Sequence, residues 1–228
     1  GSQGTEEFVT GSVRIKICGV TTVEDALAAV EAGADLIGVN FVEGSHRQVD
    51  IHQAAEICKA LEGHDVERVA LFRNARWDVI DPILQRVSFE RVQFHGDETE
   101  EEIEAIDLPT IKAIRGADHD AAETYPGSIL LLDHPHADGG SGQAWDWSEA
   151  QDLIEHGYDI IIAGGLTPDN VAEALADAGD IPPWGVDVAT GVEDENRRKD
   201  PAKMRAFVEA VRKREESVEA ETDSGEGS

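Results

Sequence analysis

The strongest constraint on the fold of this chain is a regular alternation of eight short apolar runs with stretches of helical pattern. The runs cover residues 13–17, 36–41, 66–72, 91–94, 110–114, 129–132, 160–163 and 184–188. Strands that alternate with helices indicate a parallel sheet. Eight such units predict an α/β protein, a single-domain (β/α)8 (TIM) barrel of eight parallel strands, whose active site lies where the strands end.

The length of 228 residues and a hydrophobic content of 40% suit one such barrel, which we place at residues 13–214. Residues 1–12 are polar and glycine-rich and are expected to be disordered or an added extension. Residues 215–228 are acidic and low in bulky side chains, so we expect a disordered tail there. The apolar runs are too short to cross a membrane, and we expect no membrane partner.

The charge of the chain is strongly negative: 48 acidic against 19 basic residues give a net charge of −29. This balance argues against nucleic acid as a partner, because phosphate binding needs a basic face. Either the surface binds basic partners or the protein works in very high salt. The acidic residues are dispersed over many predicted helices, which favours salt adaptation. We therefore expect a halophilic source and a fold that loosens at low salt.

The cysteine content is low, at two, which is no disulfide framework and indicates a reduced, cytoplasmic protein. Cys18 ends the first predicted strand on the same face as Lys16. A nearby ammonium group favours a thiolate, so Cys18 is a candidate catalytic residue. The alternative is that Cys18 is a small apolar group of the core.

Glycine-rich turns follow the last two predicted strands. Gly164 and Gly165 follow the seventh, and Ala189, Thr190 and Gly191 follow the eighth. Backbone N–H groups at such turns bind anions, and barrels commonly hold phosphate after strands seven and eight. Glycines also occur simply because tight turns need them. Two turns on adjacent strands favour a phosphate site.

Five further polar residues occupy strand ends or the adjoining loops. Asp133 ends the sixth run, and an apolar pocket would raise its pKa and suit it as a general acid. Asp187 ends the eighth run, while Gln93 and His95 share the inward face of the fourth, so all three are predicted to line the pocket. Arg47 is positioned to hold a substrate carboxylate. Ordinary roles in loop capping, burial or solvation are the alternatives.

A possible metal cluster follows the sixth run, where Asp133, His134, His136 and Asp138 lie close together in sequence. Pro135 and the loop setting give these side chains no fixed ligand geometry. We therefore predict no metal site.

Several motifs resemble those of one enzyme family. They are, in order, KICG at 16–19, VQFHGDE at 92–98, LLD at 131–133, GGSG at 139–142, AGGLTPDNV at 163–171 and GVDV at 185–188. Each motif is weak alone, but the ordered set is similar to the phosphoribosylanthranilate isomerases of tryptophan biosynthesis. The resemblance covers about residues 13–211.

The resemblance implies a (β/α)8 barrel without a cofactor, acting on a small-molecule substrate as a monomer or homodimer. It implies an Amadori rearrangement of N-(5-phosphoribosyl)anthranilate to 1-(2-carboxyphenylamino)-1-deoxyribulose 5-phosphate. In that reaction Asp133 would be the general acid at the furanose ring oxygen. Cys18 would be the general base that removes the C2 proton. Arg47 would hold the anthranilate carboxylate, and the glycine turns the phosphate.

Two departures from the family pattern affect these expectations. The loop before Arg47 reads VEGSHR at 42–47, where the family usually ends in Ser-Pro-Arg, so the family pattern does not define the loop that carries Arg47. Ala189 and Thr190 replace the family's two serines. The alternatives are another phosphate-binding barrel enzyme, similar to indole-glycerol-phosphate synthases, sugar-phosphate epimerases or aminoaldose isomerases, and a non-catalytic binder of a phosphate ligand.

Overall fold

The computed structural model describes residues 12–136 and 142–225 and contains a closed barrel of eight parallel strands within them. The strands are β1 (Arg14–Cys18), β2 (Leu36–Asn40), β3 (Glu67–Phe72), β4 (Arg91–Phe94), β5 (Thr110–Arg115), β6 (Ile129–Asp133), β7 (Ile160–Ile162) and β8 (Gly185–Val188). Each strand pairs with its neighbours in chain order, and β8 pairs with β1 to close the barrel. The predicted (β/α)8 architecture is confirmed.

Helices connect the strands on the outside of the barrel. They are α1 (Val23–Ala32), α2 (Ile51–Leu61), α3 (Trp77–Arg86), α4 (Glu100–Glu104), α5 (His119–Thr124), α6 (Gln151–Glu155), α7 (Val171–Asp177) and α8 (Pro201–Gly225). Their ends follow local capping chemistry. Thr22 caps α1 through a bond from the Asp25 amide, and a capping box of Thr99 and Glu102 begins α4.

Alternation along the strands separates two apolar layers. Ile15 and Ile17 of β1 belong to the large core between barrel and helices, whereas Lys16 and Cys18 face the barrel interior. A smaller interior cluster consists of Leu36, Val69, Ile111, Ala113, Ile129, Leu131, Ile161 and Ala163. These side chains fill the lower barrel, so the inward polar groups are left at the carboxyl ends of the strands.

The amino-terminal end of the barrel is closed by an aromatic side chain. The Trp184 ring packs against the interior apolar cluster, and the guanidinium carbons of Arg14 and Arg91 lie 4.3 Å and 5.2 Å from ring centroids of its indole. Such cation–π contacts stabilise the ring in place. The opening of the barrel is therefore at the opposite, carboxyl end.

The predicted disordered tail is wrong for residues 215–225, because α8 continues to Gly225. Glu215 accepts a hydrogen bond from the backbone N–H of Val13. Arg212 donates to the Val13 carbonyl at 2.8 Å and pairs with Asp35 at 3.1 Å. These contacts hold the helix on the start of β1, and its following residues are mostly good helix formers. Residues 226–228 and the predicted extension up to residue 11 lie outside the described residues.

No helix in the described part of the chain combines the length and the apolar character that crossing a bilayer requires.

Candidate active site

A single pocket at the carboxyl ends of the strands brings together all the candidate site residues predicted from sequence. Its volume is about 490 Å³. The predicted residues that line it are Cys18, Arg47, Gln93, His95, Asp133, Gly164, Gly165, Asp187, Ala189, Thr190 and Gly191. Asn40, at the end of the second apolar run, also lines it, as do Ser45, Leu71 and Arg73, which were not predicted as site residues. Thus residues from distant parts of the chain meet because parallel strands end at the same rim.

Cys18 lies at the carboxyl end of β1 and is almost buried, with 7% of its surface exposed. It stands opposite Gly38 in the β1–β2 register. A Cβ at Gly38 would lie 2.5 Å from the Sγ of Cys18, so only glycine leaves room for this thiol. Gly38 was not singled out from sequence, because its signal is a lone glycine within a strand pattern.

A buried ion pair lies next to the cysteine. The Lys16 ammonium bonds Asp187 Oδ1 at 2.7 Å, and the lysine side chain is only 1% exposed. Burial lowers the pKa of Lys16, but the charges of Asp187 and Cys18 outweigh it and raise this pKa above its ordinary value. Lys16 therefore stays cationic, and Asp187 serves as its partner at the base of the pocket.

Asp133 ends β6 and is held by two hydrogen-bond donors. His95 Nε2 lies 3.0 Å from Asp133 Oδ2, and the His134 N–H donates to Oδ1 at 2.9 Å. Burial raises the pKa of Asp133, but the bonds and charges of His95 and His134 prevail and lower it below its ordinary value. The expectation of a raised pKa is wrong, because sequence alone did not reveal the histidine partner.

Gln93 lies behind the His95 ring on the inward face of β4. Its Nε2 is 3.5 Å from His95 Nδ1. The side chain is buried, and its Oε1 has no hydrogen-bond partner among the described residues. An unpaired buried amide oxygen is costly, so this acceptor calls for an explanation.

Arg47 is anchored by a carboxylate that the sequence analysis missed. Its Nε and Nη2 bond the two oxygens of Glu193 at 2.8 Å and 2.7 Å, and Nη2 also reaches Thr190 Oγ1 at 2.9 Å. Lys199 bonds Glu193 at 3.0 Å from the other side. Glu193 thus fixes two cations from the β2 and β8 regions. Its only sequence signal was its place shortly after the β8 turn.

The electrostatics of this cluster follow from burial and pairing. Burial raises the pKa of Glu193, but Arg47 and Lys199 lower it below its ordinary value overall. Burial lowers the pKa of Lys199, and the Glu193 charge compensates only in part. A buried carboxylate between two cations is well paired, whereas removing it would leave uncompensated positive charge.

The loop after β2 positions Arg47 without the proline expected from the family pattern. Asn40 Oδ1 accepts the Val42 N–H at 2.7 Å, and Ser45 Oγ accepts the Arg47 N–H at 3.2 Å. Side-chain bonds to nearby backbone groups define such turns. The Arg47 stem then packs over Gly19, where a Cβ would lie 2.3 Å from its Cδ. Arg47 consequently reaches the pocket despite the altered loop.

Backbone conformation and close packing explain the glycines in the turns after β7 and β8. Gly164 and Gly165 both have a φ of +81°, and a Cβ at Gly165 would lie 2.2 Å from the Gln143 carbonyl oxygen. A Cβ at Gly191 would lie 2.0 Å from the carbonyl oxygen of Leu166. The three glycines therefore allow the loops after β6, β7 and β8 to pack closely around the pocket.

Two tryptophans anchor the end of the β6 loop. The indole N–H groups of Trp145 and Trp147 both donate to the Ala163 carbonyl, at 2.9 Å and 3.1 Å. The loop thus lies directly over the first glycine turn. Residues 137–141 of this loop, which include Asp138 and most of the predicted GGSG motif, lie outside the described residues.

Among residues 12–136 and 142–225 there is no group of three or more His, Cys, Asp or Glu side chains arranged to hold a metal ion.

Comparisons with known proteins show the family to which the chain belongs. The family model described as N-(5'phosphoribosyl)anthranilate (PRA) isomerase matches residues 15–210. The N-(5'-phosphoribosyl)anthranilate isomerase of Pseudomonas aeruginosa is 46% identical over 210 residues, which cover 89% of this chain and 97% of that protein.

Solved structures give the same result. The crystal structure of phosphoribosyl anthranilate isomerase from Thermotoga maritima has a TM-score of 0.80 and 33% identity, over 88% of this chain and 98% of that one. An isomerase solved with reduced 1-(o-carboxyphenylamino)-1-deoxyribulose 5-phosphate has a TM-score of 0.77 and 32% identity, over 88% and 98%. The chain therefore belongs to the N-(5'-phosphoribosyl)anthranilate isomerase family.

Proposed function

We propose that the pocket carries out the isomerase reaction of tryptophan biosynthesis with Cys18 as general base and Asp133 as general acid. The substrate is N-(5'-phosphoribosyl)anthranilate and the product is 1-(2-carboxyphenylamino)-1-deoxyribulose 5-phosphate. The observation that carries the assignment is that Cys18 of β1 and Asp133 of β6 line the same pocket at the strand ends. An aldose-to-ketose shift needs such an acid and base around one sugar.

The reaction is a series of proton transfers in which each proton given up by a protein group is later returned. Asp133 donates a proton to the ring oxygen as the bond from C1 to that oxygen breaks, which leaves a protonated Schiff base. The Cys18 thiolate then removes the C2 proton to give an enolamine. In the final tautomerisation C1 gains a proton and the C2 hydroxyl loses one, so the turnover consumes no net proton. Placed groups of this kind contribute about 10²–10⁴-fold each.

Arg47 is the proposed contact for the anthranilate carboxylate. Its Nε and Nη2 are held by Glu193 and Thr190, so Nη1 is the nitrogen assigned to the substrate. Because the guanidinium is already fixed, little side-chain freedom is lost when the carboxylate binds.

The phosphate is proposed to bind between the turns at Gly164–Gly165 and Ala189–Gly191, which face the same pocket. Backbone N–H groups are the expected donors. The close packing of these turns, which their glycines permit, supports a preformed anion cradle. The Thr190 hydroxyl is occupied by Arg47, so it links the phosphate and carboxylate ends of the site.

The experiment that tests the proposal is growth rescue of a tryptophan auxotroph that lacks the isomerase, combined with an assay using substrate made in situ. The parent chain is expected to restore growth, while Cys18→Ser and Asp133→Asn are not. A related aminoaldose phosphate in the same assay tests for a broader substrate range. Rescue by both variants would contradict the acid–base assignment and favour a different barrel enzyme or a binding protein.

The cellular setting follows from composition. Both cysteines are unpaired and buried, which supports a reducing, cytoplasmic location. The net charge of −29 supports a high-salt environment. The assembly is proposed to be a monomer or a homodimer, and sedimentation velocity distinguishes the two.

A further inference from the structure

We propose that His95 is the proton store that recharges Asp133, and that the amide oxygen of Gln93 holds the Nδ1 proton of the ring while Nε2 gives and regains its own proton. The inference rests on the proposed role of Asp133 as general acid and assigns His95 and Gln93 as positioning residues. It is carried by the chain of contacts from Gln93 through His95 to Asp133.

The need for a proton store arises from the state of the carboxyl group. A general acid must hold a proton when the ring oxygen requires it. Asp133 instead accepts bonds from His95 Nε2 and from the His134 N–H, and both bonds favour the carboxylate. An acid that is ionised at rest depends on a neighbour to supply its proton.

His95 is the neighbour with suitable geometry. Its Nε2 lies 3.0 Å from Asp133 Oδ2, a distance over which a proton moves directly. Both side chains are partly accessible from the pocket, with 24% and 16% exposed. The proton moves from Nε2 to Oδ2 as the imidazolium becomes neutral, and Asp133 then protonates the ring oxygen. The proton that the C2 hydroxyl later releases reloads the pair, so the balance of the reaction is kept.

Gln93 provides the contact that the other ring nitrogen needs. A charged ring carries a proton on Nδ1 as well as on Nε2, and the ring keeps the Nδ1 proton when Nε2 gives its proton to Asp133. Nδ1 is therefore a donor throughout the transfer and needs an acceptor. The Gln93 amide lies 3.5 Å from Nδ1, and its Oε1 is buried and unpaired among the described residues. When the amide turns over, this oxygen accepts the Nδ1–H bond.

The protonation of the pair also depends on the charges around it. The titratable and charged groups around the pair include Asp133 at the end of β6 and His134 after it, Arg115 at the end of β5, Lys112 and Glu98 beside Gly96, and Arg73 after β3. Cys18, the Lys16–Asp187 pair and the Arg47–Glu193 pair lie elsewhere around the pocket. Because Asp133 and His95 are coupled, the observed pH dependence belongs to the pair.

The test compares kcat against pH for the parent and His95→Gln. Glutamine can place an amide N–H near the position of Nε2, which keeps the bond to Asp133, but it cannot store a proton. Reduced 1-(o-carboxyphenylamino)-1-deoxyribulose 5-phosphate serves as the reduced product analogue. We expect His95→Gln to bind it within threefold of the parent while kcat falls about 10²-fold. The remaining activity is expected to rise continuously toward acid pH, because Asp133 then takes its proton from solvent. Gln93→Met is expected to move the alkaline limb of the profile to lower pH.

Two controls separate a proton store from a structural role. His64→Asn, at an exposed turn outside the pocket, is expected to leave the profile unchanged. Added imidazole is expected to restore activity to His95→Ala, since a free base can replace the missing ring. Histidine ring NMR of the unmodified protein supplies a readout that needs no variant: the His95 ring is expected to carry a proton on Nδ1, held by Gln93.

The results that would refute the proton store differ from those that would refute the proposed function. If Asp133→Asn is inactive while His95→Gln keeps the parent's kcat and pH profile, the proton store is refuted and the acid assignment survives. A His95 ring without a proton on Nδ1 also refutes it. If Asp133→Asn is as active as the parent, the proposed function itself fails.

Discussion

At the scale of single residues, the site combines groups whose chemistry was visible in sequence with partners that were not. Cys18, Asp133 and Arg47 were identified from their places at strand ends and loops. Their partners Glu193 and Gly38 became evident only in three dimensions. Glu193 follows β8 but binds a side chain 146 positions earlier in the chain, and no local pattern encodes such a contact.

The two cysteines are predicted to differ in reactivity. Burial raises the pKa of Cys58 to about 12, so its thiol stays protonated at neutral pH and resists alkylation. Cys18 opens into the pocket beside a cationic lysine. We expect iodoacetamide to label Cys18 alone, as read by peptide mass spectrometry, and the reduced product analogue to protect it. Equal labelling of both thiols in the folded protein would contradict this expectation.

Glu193→Gln is predicted to lower both stability and substrate affinity. The change leaves Arg47 and Lys199 without their buried counter-charge, a loss of about 3–5 kcal/mol in comparable buried pairs. We expect a higher KM because Arg47 loses its fixed position. Urea unfolding and steady-state kinetics measure the two effects. Glu90→Gln, whose pair with Arg68 lies outside the pocket, should leave KM unchanged.

The pH dependence of this stability difference has a defined sign. The folded pKa of Glu193 lies below its ordinary value of 4.5. The ion pair therefore stabilises the fold fully above the unfolded pKa, and its contribution is lost as pH falls through the folded one. The advantage of the parent over Glu193→Gln should persist from neutral pH to about 4.5 and shrink below it. An advantage that grows on acidification would contradict the pairing.

At the scale of elements, the sequence defined the strands well and the last helix poorly. Strand positions followed from apolar runs, since each run must face the outer core on one side. The end of α8 was misjudged because composition near residue 215 resembles a disordered tail, whereas tertiary contacts from Arg212 and Glu215 hold it on β1. Contacts to a distant strand override local composition.

Truncation within α8 tests those contacts. A chain that ends after Glu216 keeps both anchoring side chains and is expected to unfold at the same temperature as the parent. A chain that ends after Val211 loses the bonds to Val13 and Asp35, a cost of about 1.5 kcal/mol or more. Thermal unfolding by circular dichroism measures both. Equal destabilisation by the two truncations would show that the outer turns of α8 are needed instead.

The glycine turn after β7 allows a matched pair of substitutions. Gly165 and Gly157 have φ values of +81° and +89°, so alanine strains the backbone at both. Only at Gly165 would the new Cβ meet the Gln143 backbone; at Gly157 nothing lies within 4 Å. Gly165→Ala is therefore expected to raise KM and the phosphate inhibition constant, while Gly157→Ala lowers thermal stability alone. Unchanged kinetics for Gly165→Ala would remove the β7 turn from the proposed phosphate site.

At the scale of the whole molecule, the barrel explains why ordered but individually weak motifs were informative. Eight parallel strands end at one rim, so a residue at the end of any strand joins one pocket. What the sequence could not supply was the electrostatic state of that pocket. Asp133 was expected to have a raised pKa, yet its bonds to His95 and His134 reverse the direction.

The net charge of −29 predicts a dependence on salt. At molar KCl the Debye length is about 3 Å, so repulsion between surface carboxylates is screened. We expect helicity, unfolding temperature and kcat to rise with KCl from low salt into the molar range. Circular dichroism and activity that stay flat over this range would refute the proposed adaptation to salt.

The central claim is that a thiol and a carboxyl group at the barrel mouth act as general base and general acid on one substrate. Single-turnover rates test it most directly. Cys18→Ala and Asp133→Asn are each expected to slow conversion of bound substrate by about 10²–10⁴-fold while the reduced product analogue still binds. Cys58→Ala, which removes the other thiol outside the pocket, is expected to react at the parent rate. Conversion by Cys18→Ala or Asp133→Asn within threefold of Cys58→Ala would contradict the account.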